Sequence, residues 1–446
     1  MMTITRSISA LFCTLALLIS TMSHAAPKIQ HWQSDNGLAV YYVHVPELPM
    51  LDLRLTFDAG SARDGKKMGM AGLTSAMLNS GTKDMTTNQL AEAFESVGAE
   101  FSSGSARDMA WITLRTLTLP EEQSKALATW IDVIKNSTFP DKDFQRLIKQ
   151  ALIGLEAEKQ SPSALASKAF YQHLYTDHPY ASPKNGTEAS IKAMTVTDLK
   201  AHYARYFVAK NSQLAIVGAI DRPQAEALAK QIAVSLNAGE KAPAIPAVKP
   251  LEKSETVHIE FPSSQSHIMI GQAGTKRGDK DYFSLYLGNH GLGGSGFTSR
   301  LMKEVRVKRG LSYSVYSYFS PMRETGPFLL GLQTKNSQVD EAIKVSMQVV
   351  KTFQKEGASE AQLQASKTNI TGGFPLRTAS NDDIIGYIAM IAFYGLPLDY
   401  LDTFTTTIDK ISRDEVVDAY KRRLHPDKFL TVIVGKKVTQ GKSKDQ

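Results

Sequence analysis

The sequence predicts an α+β protein of two homologous domains joined by a linker, each a mixed, mostly antiparallel sheet covered by helices. Three observations predict this. The segment SIKAMTVTDLKAHYARYFVAKNSQLAIVG at 190–218 lies over TIDKISRDEVVDAYKRRLHPDKFLTVIVG at 407–435 without a gap, an offset of 217 residues. GLTSAML at 72–78 matches GFTSRLM at 296–302 at a similar offset of 224, so the repeat extends through both halves. In each half, strand-like runs precede helical runs, the order expected when helices pack on an antiparallel or mixed sheet.

The elements follow in chain order. An Arg6 flank, an apolar run from Ile8 to Ile19, and small residues at Ser23 and Ala25 before Ala26-Pro27 read as a signal peptide over residues 1–25, which predicts a periplasmic product. Cys13, the single cysteine, sits inside that apolar run. The chain from residue 26 onward is therefore expected to use no disulfide, thiol nucleophile or Cys-ligated metal. The first domain, 26–237, carries strands at 38–45 and 50–60, a Gly-led helix at 72, and a Thr-capped helix at 86–99 with an early Glu. An alternating strand at 111–119 and helices near 121–136, 143–159 and 196–206 complete it. AGEKAPAIPAVKPLEKSE at 238–255 reads as a semi-extended surface linker. The second domain, 256–436, repeats the order: strands at 255–262 and 266–273, a helix at 297–309, strands at 311–320 and 327–334, then helices from 337. A polar tail, 437–446, closes the chain.

Composition narrows the function. With 42% hydrophobic, 21% charged and 8% aromatic residues, disorder, collagen-like repetition and a disulfide scaffold are excluded. Net charge is +7, but the cations are scattered among 44 acids and form no basic stripe with interleaved aromatics, so no nucleic-acid partner is expected. No stretch after the leader approaches the ~18 consecutive apolar residues of a spanning helix, so no stable membrane insertion is expected.

Three segments, GMAGLTSAMLNSGTKDMTTNQLAEAFESVGAEF (69–101), HPYASPKNGTEASIKAMTVTDLKAHYARYF (178–207) and GLGGSGFTSRLMKEVRVKRGLSYSVYSYF (291–319), carry a resemblance to the pitrilysin/insulinase-type (inverzincin) zinc metallopeptidases. That family includes mitochondrial processing peptidase and the core subunits of the respiratory bc1 complex. The resemblance implies an inverted H-x-x-E-H helix motif and a later Glu on another helix, which together leave zinc an open position for water. Here the helix reads GLTSAMLNSGT (72–82). Anchored on Gly72-Leu73, the motif positions fall on Ser75, Leu78 and Asn79; anchored on Gly81-Thr82, they fall on Gly72, Ser75 and Ala76. Neither register supplies an imidazole or a carboxylate. The distal position falls on Ile153 and Gly154, with Glu156 and Glu158 close enough for a helical slip to bring one in. The histidines are scattered and read as surface or satisfied buried side chains.

The second half keeps more of the pattern. Arg306 is expected in the last turn of a helix starting near Phe297, Gly310 in a left-handed conformation just past it, and Tyr313 at the opening of the strand LSYSVYSYF. The resemblance implies that Arg306 and Tyr313 bind a peptide carbonyl opposite a zinc-bound water. Isolated, that spacing is an ordinary structural one. The glycines Gly293, Gly294 and Gly296 read either as a tight strand-to-helix turn or as a peptide-contacting loop, and no nucleotide-binding motif is completed. Tyr316, Tyr318 and Phe319 read as sheet packing. The expectation is a zinc-less subunit that binds no cofactor itself, paired with a homologous zinc-bearing peptidase subunit and contacting peptide substrates. The alternative is a non-enzymatic scaffold or peptide-holding protein of the same fold. Hetero- versus homodimer remains open at this point.

Overall fold

The computed structural model describes residues 28–437; the predicted signal peptide and residues 438–446 lie outside them. Strands β1 Gln30–Gln33, β2 Ala39–His44, β3 Met50–Phe57, β4 Glu100–Ser105, β5 Ala110–Leu117 and β6 Ser212–Gly218 form one sheet in the order β1-β2-β6-β3-β5-β4. Strands β7 Glu255–Glu260, β8 Gln265–Thr275, β9 Val315–Phe319, β10 Gly326–Lys335 and β11 Leu430–Gly435 form the other, in the order β7-β11-β8-β10-β9. Each sheet holds one parallel pair, β2 with β6 and β7 with β11; all other pairs are antiparallel. The order of the second sheet recurs in the first, which adds β1 at one edge, as the internal repeat requires.

The repeat is visible in side-chain detail. Thr195 and Ser412, aligned in sequence, cap the equivalent helices Val196–Tyr206 and Arg413–Arg423. Each hydroxyl accepts from the backbone N–H three residues on, while Asp198 or Glu415 reaches back to the cap residue's N–H at 3.0 and 2.7 Å. Such a reciprocal box satisfies donors that helix geometry leaves orphaned.

Two equivalent helices are exchanged between the halves. Helix α5 (Pro162–Tyr175) packs on β8 and β11 of the second sheet, whereas Asn381–Tyr394 of the second half packs on β3 and β6 of the first. Their composition calls for cover by a second sheet, though not for one sheet over the other. Ile384, Ile385, Ile388, Ile391, Ala392 and Phe393 are all buried, an apolar surface too broad for a helix with one solvated face. Phe170, Leu174 and Tyr175 of α5 join Leu430, Val432 and Val434 in a buried cluster. The second-half core likewise takes in Val43, Ala215 and Val217 from the first. The predicted boundary at 238–255 therefore separates the sheets but not the cores.

Several expectations need correction. The 238–255 segment is not merely a surface strap: Ile245 is buried and packs, with Val248 and Leu251, on the α5 cluster. Strand β4 was not anticipated, because EFSSGS has few β-branched or aromatic residues and takes its register from β5. The helix at Thr87–Glu95 is capped by Thr86 with Gln89, with no acid in its first turn. Phe297 lies in the short 3-10 turn Gly296–Thr298; the helix proper begins at Arg300 and winds as a π-helix over Met302–Val307. Tyr313 precedes its strand, which starts at Val315.

A buried acceptor ties the halves together. Asp108, 2% exposed, accepts from the Tyr180 hydroxyl at 2.6 Å, the Tyr394 hydroxyl at 3.0 Å and the Arg323 backbone N–H at 2.7 Å. Tyr180 also accepts from the Glu324 N–H at 2.9 Å. Burial and the Asp108 carboxylate push both phenols up, so they remain protonated donors.

Candidate functional site

The helix that would carry a hydrolytic zinc, α1 (Met70–Met77), is built with care at its start. Gly69 caps it in a left-handed conformation, φ 93°. The Asp64 carboxylate accepts from the N–H groups of Gly69 and Ala71 at 2.8 and 2.9 Å. Burial pushes Asp64 up to about 7, against the downward pull of the N–H groups of Ala71, Gly69 and Met70.

Of the predicted zinc-site positions the structure brings Gly72 and Gly154 to one hollow and leaves the others outside it. Gly72 and Gly154 line a shared hollow of about 200 Å³ between α1 and α4 (Asp141–Lys159), with Leu73, Ala151 and Glu158 around it. Leu78, fully buried, belongs to the first-half core instead. Asn79 is exposed and donates to Ser103 Oγ at 3.3 Å. Ser75 is 2% exposed and gives its hydroxyl to the Gly104 carbonyl of β4 at 3.2 Å. Ile153 is 70% exposed on the far side of its helix turn. Of the nearby carboxylates, Glu156 pairs with Lys159 at 2.7 Å, and Glu158 accepts from the Asn185 amide.

These residues do not fit zinc. The hollow is walled by Gly69, Gly72 and Gly154, by Ala151 and apolar side chains, and by Lys184 and Asn185; its one carboxylate, Glu158, is already engaged by Asn185. Tetrahedral zinc needs three protein donors beside its water. Among the described residues no group of three or more His, Cys, Asp or Glu is placed to hold a metal ion. The histidines are dispersed: His173 faces Glu255 at 2.7 Å, and His290 meets Ser366 and Asn369 at 2.9 and 3.0 Å. His202 is the exception to the reading of satisfied imidazoles, since it is buried with Nε2 unpartnered. Burial pulls it down to about 4, so it is neutral at pH 7.

In the second half, Arg306 and Tyr313 are adjacent in space. The guanidinium carbon lies 4.3 Å from the centroid of the Tyr313 ring and 4.7 Å from that of Phe297. Both rings are largely solvent-exposed, at 81% and 67%. Gly310 turns the chain between them at φ +61°, and its N–H donates to the Arg306 carbonyl at 2.9 Å. A side chain there would be strained, which explains the glycine. Phe297 was not singled out from the sequence, although an exposed aromatic beside a Gly-rich turn is a usable signal.

The glycine turn divides by role. Gly293 is buried, and a Cβ on it would meet Ser317 Oγ at 2.3 Å, so packing against β9 demands its small size. Gly294 approaches Asn289, while Gly296 stands in open space at φ +58°. Tyr316 and Tyr318, each 40% exposed, stack at 6.0 Å on the edge strand β9, and Phe319 packs inward on Phe328.

Two sheets built on one strand order, exchanged helices, a first-half helix without zinc donors and a second-half Arg–Tyr pair define a two-domain metallopeptidase-type fold. The chain belongs to peptidase family M16. Residues 40–188 match the family model described as insulinase (peptidase family M16), and 193–370 match the one described as the peptidase M16 inactive domain. The crystal structure of a peptidase M16 inactive domain from Pseudomonas fluorescens is 39% identical, with a TM-score of 0.90, covering 93% of this chain and 99% of that one. A Helicobacter pylori protein named non-peptidase homolog YmxG is 26% identical over 431 residues, 96% of this chain and 98% of the relative. A solved protease from Helicobacter pylori shares the fold at a TM-score of 0.83 and 18% identity, covering 92% of this chain and 100% of that one.

Proposed function

We propose that this chain is the zinc-less subunit of a periplasmic, heterodimeric M16 metallopeptidase, forming half of a peptide chamber and presenting Arg306 and Tyr313 to the substrate backbone. One observation carries the reading: the Arg–Tyr pair is assembled with its Tyr313 ring exposed, while the hollow at Gly72 and Gly154 offers no donor set. A guanidinium and a phenol donate to a carbonyl whose negative charge grows as water attacks. They accelerate hydrolysis only beside a metal-bound water, which a homologous zinc-bearing partner chain would supply. The likeness to a non-peptidase homolog supports the lack of activity in isolation, and the leader-like first 25 residues support export. Among the described residues no helix is long and apolar enough to cross a membrane.

The test is reconstitution. The purified chain alone is expected to cleave no peptide, and cleavage is expected on mixing with an M16 chain that carries an intact inverted zinc motif. Chelator-sensitive cleavage by the isolated chain would overturn the reading. Cleavage by the partner that never depends on this chain would favour a scaffold role instead.

A further inference from the structure

The helix that carries Arg306 also walls a second cavity that the peptide-holding role leaves unexplained. It measures roughly 330 Å³ and lies between Arg300–Val307 and the helix Val339–Glu356. Val345 and Val349 provide apolar lining, Gln348 and Gln362 provide amides, and Arg300 and Lys303 bring positive charge. Glu304, the carboxylate among the lining residues, is already engaged by Lys308 at 2.7 Å and Arg309 at 2.8 Å. Among the described residues Arg300 and Lys303 have no ion-pair partner. Arg300 makes one long bond, 3.4 Å, to the Gln362 side-chain oxygen and lies 5.2 Å from the Phe353 ring centroid. Its guanidinium is half-buried, and that burial pulls it below its ordinary value.

Glu356 and Glu304 attract the Arg300 guanidinium without forming an ion pair with it, so this half-buried cation carries a desolvation cost that an anion in the cavity would offset. Apolar lining beside it selects anions with a hydrocarbon body over small hydrated ones. We propose that this cavity binds a small organic carboxylate, its carboxylate held by Arg300 and Lys303 and its hydrocarbon part against Val345 and Val349. The site is distinct from the Arg306–Tyr313 pair and does not depend on the peptidase reading.

Titration calorimetry on the full chain purified without its first 25 residues tests this, with hexanoate, acetate and inorganic phosphate as probes. Hexanoate is expected to bind at least about tenfold more tightly than acetate, from its additional methylenes. Arg300→Lys, which keeps the charge but loses the planar fork, is expected to weaken hexanoate about tenfold. Lys303→Gln, at an exposed position, is expected to weaken it about threefold. Melting curves establish that both variants remain folded; should Arg300→Lys unfold, Lys303→Gln alone decides. Absence of hexanoate binding at millimolar concentration, phosphate binding as tight as hexanoate, or hexanoate affinity unchanged in the folded variants would each overturn the proposal.

Discussion

The guanidinium of Arg306 lies 4.3 Å from the ring centroid of Tyr313, seven residues on, because Gly310 reverses the chain between them in a left-handed conformation. The contact pre-orients a donor pair made of a half-buried guanidinium and an exposed phenol. Cation–π attraction at such an exposed site amounts to about 0.5–1 kcal/mol, enough to bias orientation but too little to hold the fold.

The first prediction concerns that pair in the reconstituted peptidase. Arg306→Ala is expected to lower kcat/KM about 100-fold, and Tyr313→Phe about 10-fold, as expected for lost hydrogen bonds to a developing anion. Phe297→Ala is expected to cost only a few-fold, through looser positioning of Arg306. Melting temperatures should barely move, because these side chains are not part of the core. Steady-state kinetics with a quenched peptide checks all three, and unchanged rates would remove the assigned roles.

Exchange of equivalent helices predicts cooperative unfolding. Phe170→Ala in α5 and Ile388→Ala in Asn381–Tyr394 should each destabilise the protein by about 2–5 kcal/mol, since both side chains are fully buried. Each should lower the stability of both halves together. Denaturant titration followed by tryptophan fluorescence and far-ultraviolet circular dichroism should give coincident transitions; two separated transitions would show that the halves fold independently.

Asp108 is expected to matter more than its lack of an ion-pair partner suggests. Asp108→Ala strands the buried Tyr180 phenol, the half-buried Tyr394 phenol and one backbone N–H, and should cost about 3 kcal/mol or more. Asp108→Asn retains an acceptor and should cost less. Chemical denaturation of both variants ranks them, and equal stability of the alanine variant and the parent would discount the hub.

Acid–base behaviour offers a paired test. Asp64, raised to about 7, contributes stability that is fully present below its unfolded value near 3.8 and is lost as pH rises through about 7. His202 has the opposite sign: lowered from 6.5 to about 4, it contributes stability present above 6.5 and lost as pH falls through about 4. Between roughly pH 4 and 6.5 the two oppose each other, so the parent should vary little. His202→Phe should leave a protein that weakens as pH rises through this window, and Asp64→Asn one that weakens as pH falls. Each slope approaches about 1.4 kcal/mol per pH unit at most. Below pH 4, Asp281, held down to about 2 first by Arg422 and then by Arg423, adds a further loss on acidification. Thermal melts across pH 3–8 read out the signs, and parallel profiles for the two variants would contradict them.

The hollow between α1 and α4 predicts which register can be rebuilt. Gly72→His with Ala76→His, four apart on one helix face, and Gly154→Glu should create a site that takes up about one zinc per chain. A Cβ on Gly154 meets nothing within 4 Å, and one on Gly72 meets its nearest atom at 3.8 Å. Substituting Ser75, Leu78 and Asn79 instead should unfold the domain, because Leu78 is fully buried. Metal analysis of the purified variants distinguishes the registers.

Much of this molecule is legible in its residues. The offset of 217 pairs Thr195–Asp198 with Ser412–Glu415, so the capping boxes repeat because the letters do. Gly310 past a helix end and the absence of histidine and glutamate from GLTSAMLNSGT are local facts, fixed by backbone sterics and by the donor atoms present. The tertiary structure decided which sheet each helix covers, since an apolar face is satisfied by any matching apolar surface and composition does not choose between two similar sheets. It also decided that Gly72 rather than Leu78 shares a hollow with Gly154, and that Phe297 joins Arg306 and Tyr313. Those relations are between residues distant in sequence or separated by an irregular turn, where local periodicity carries no information about distance.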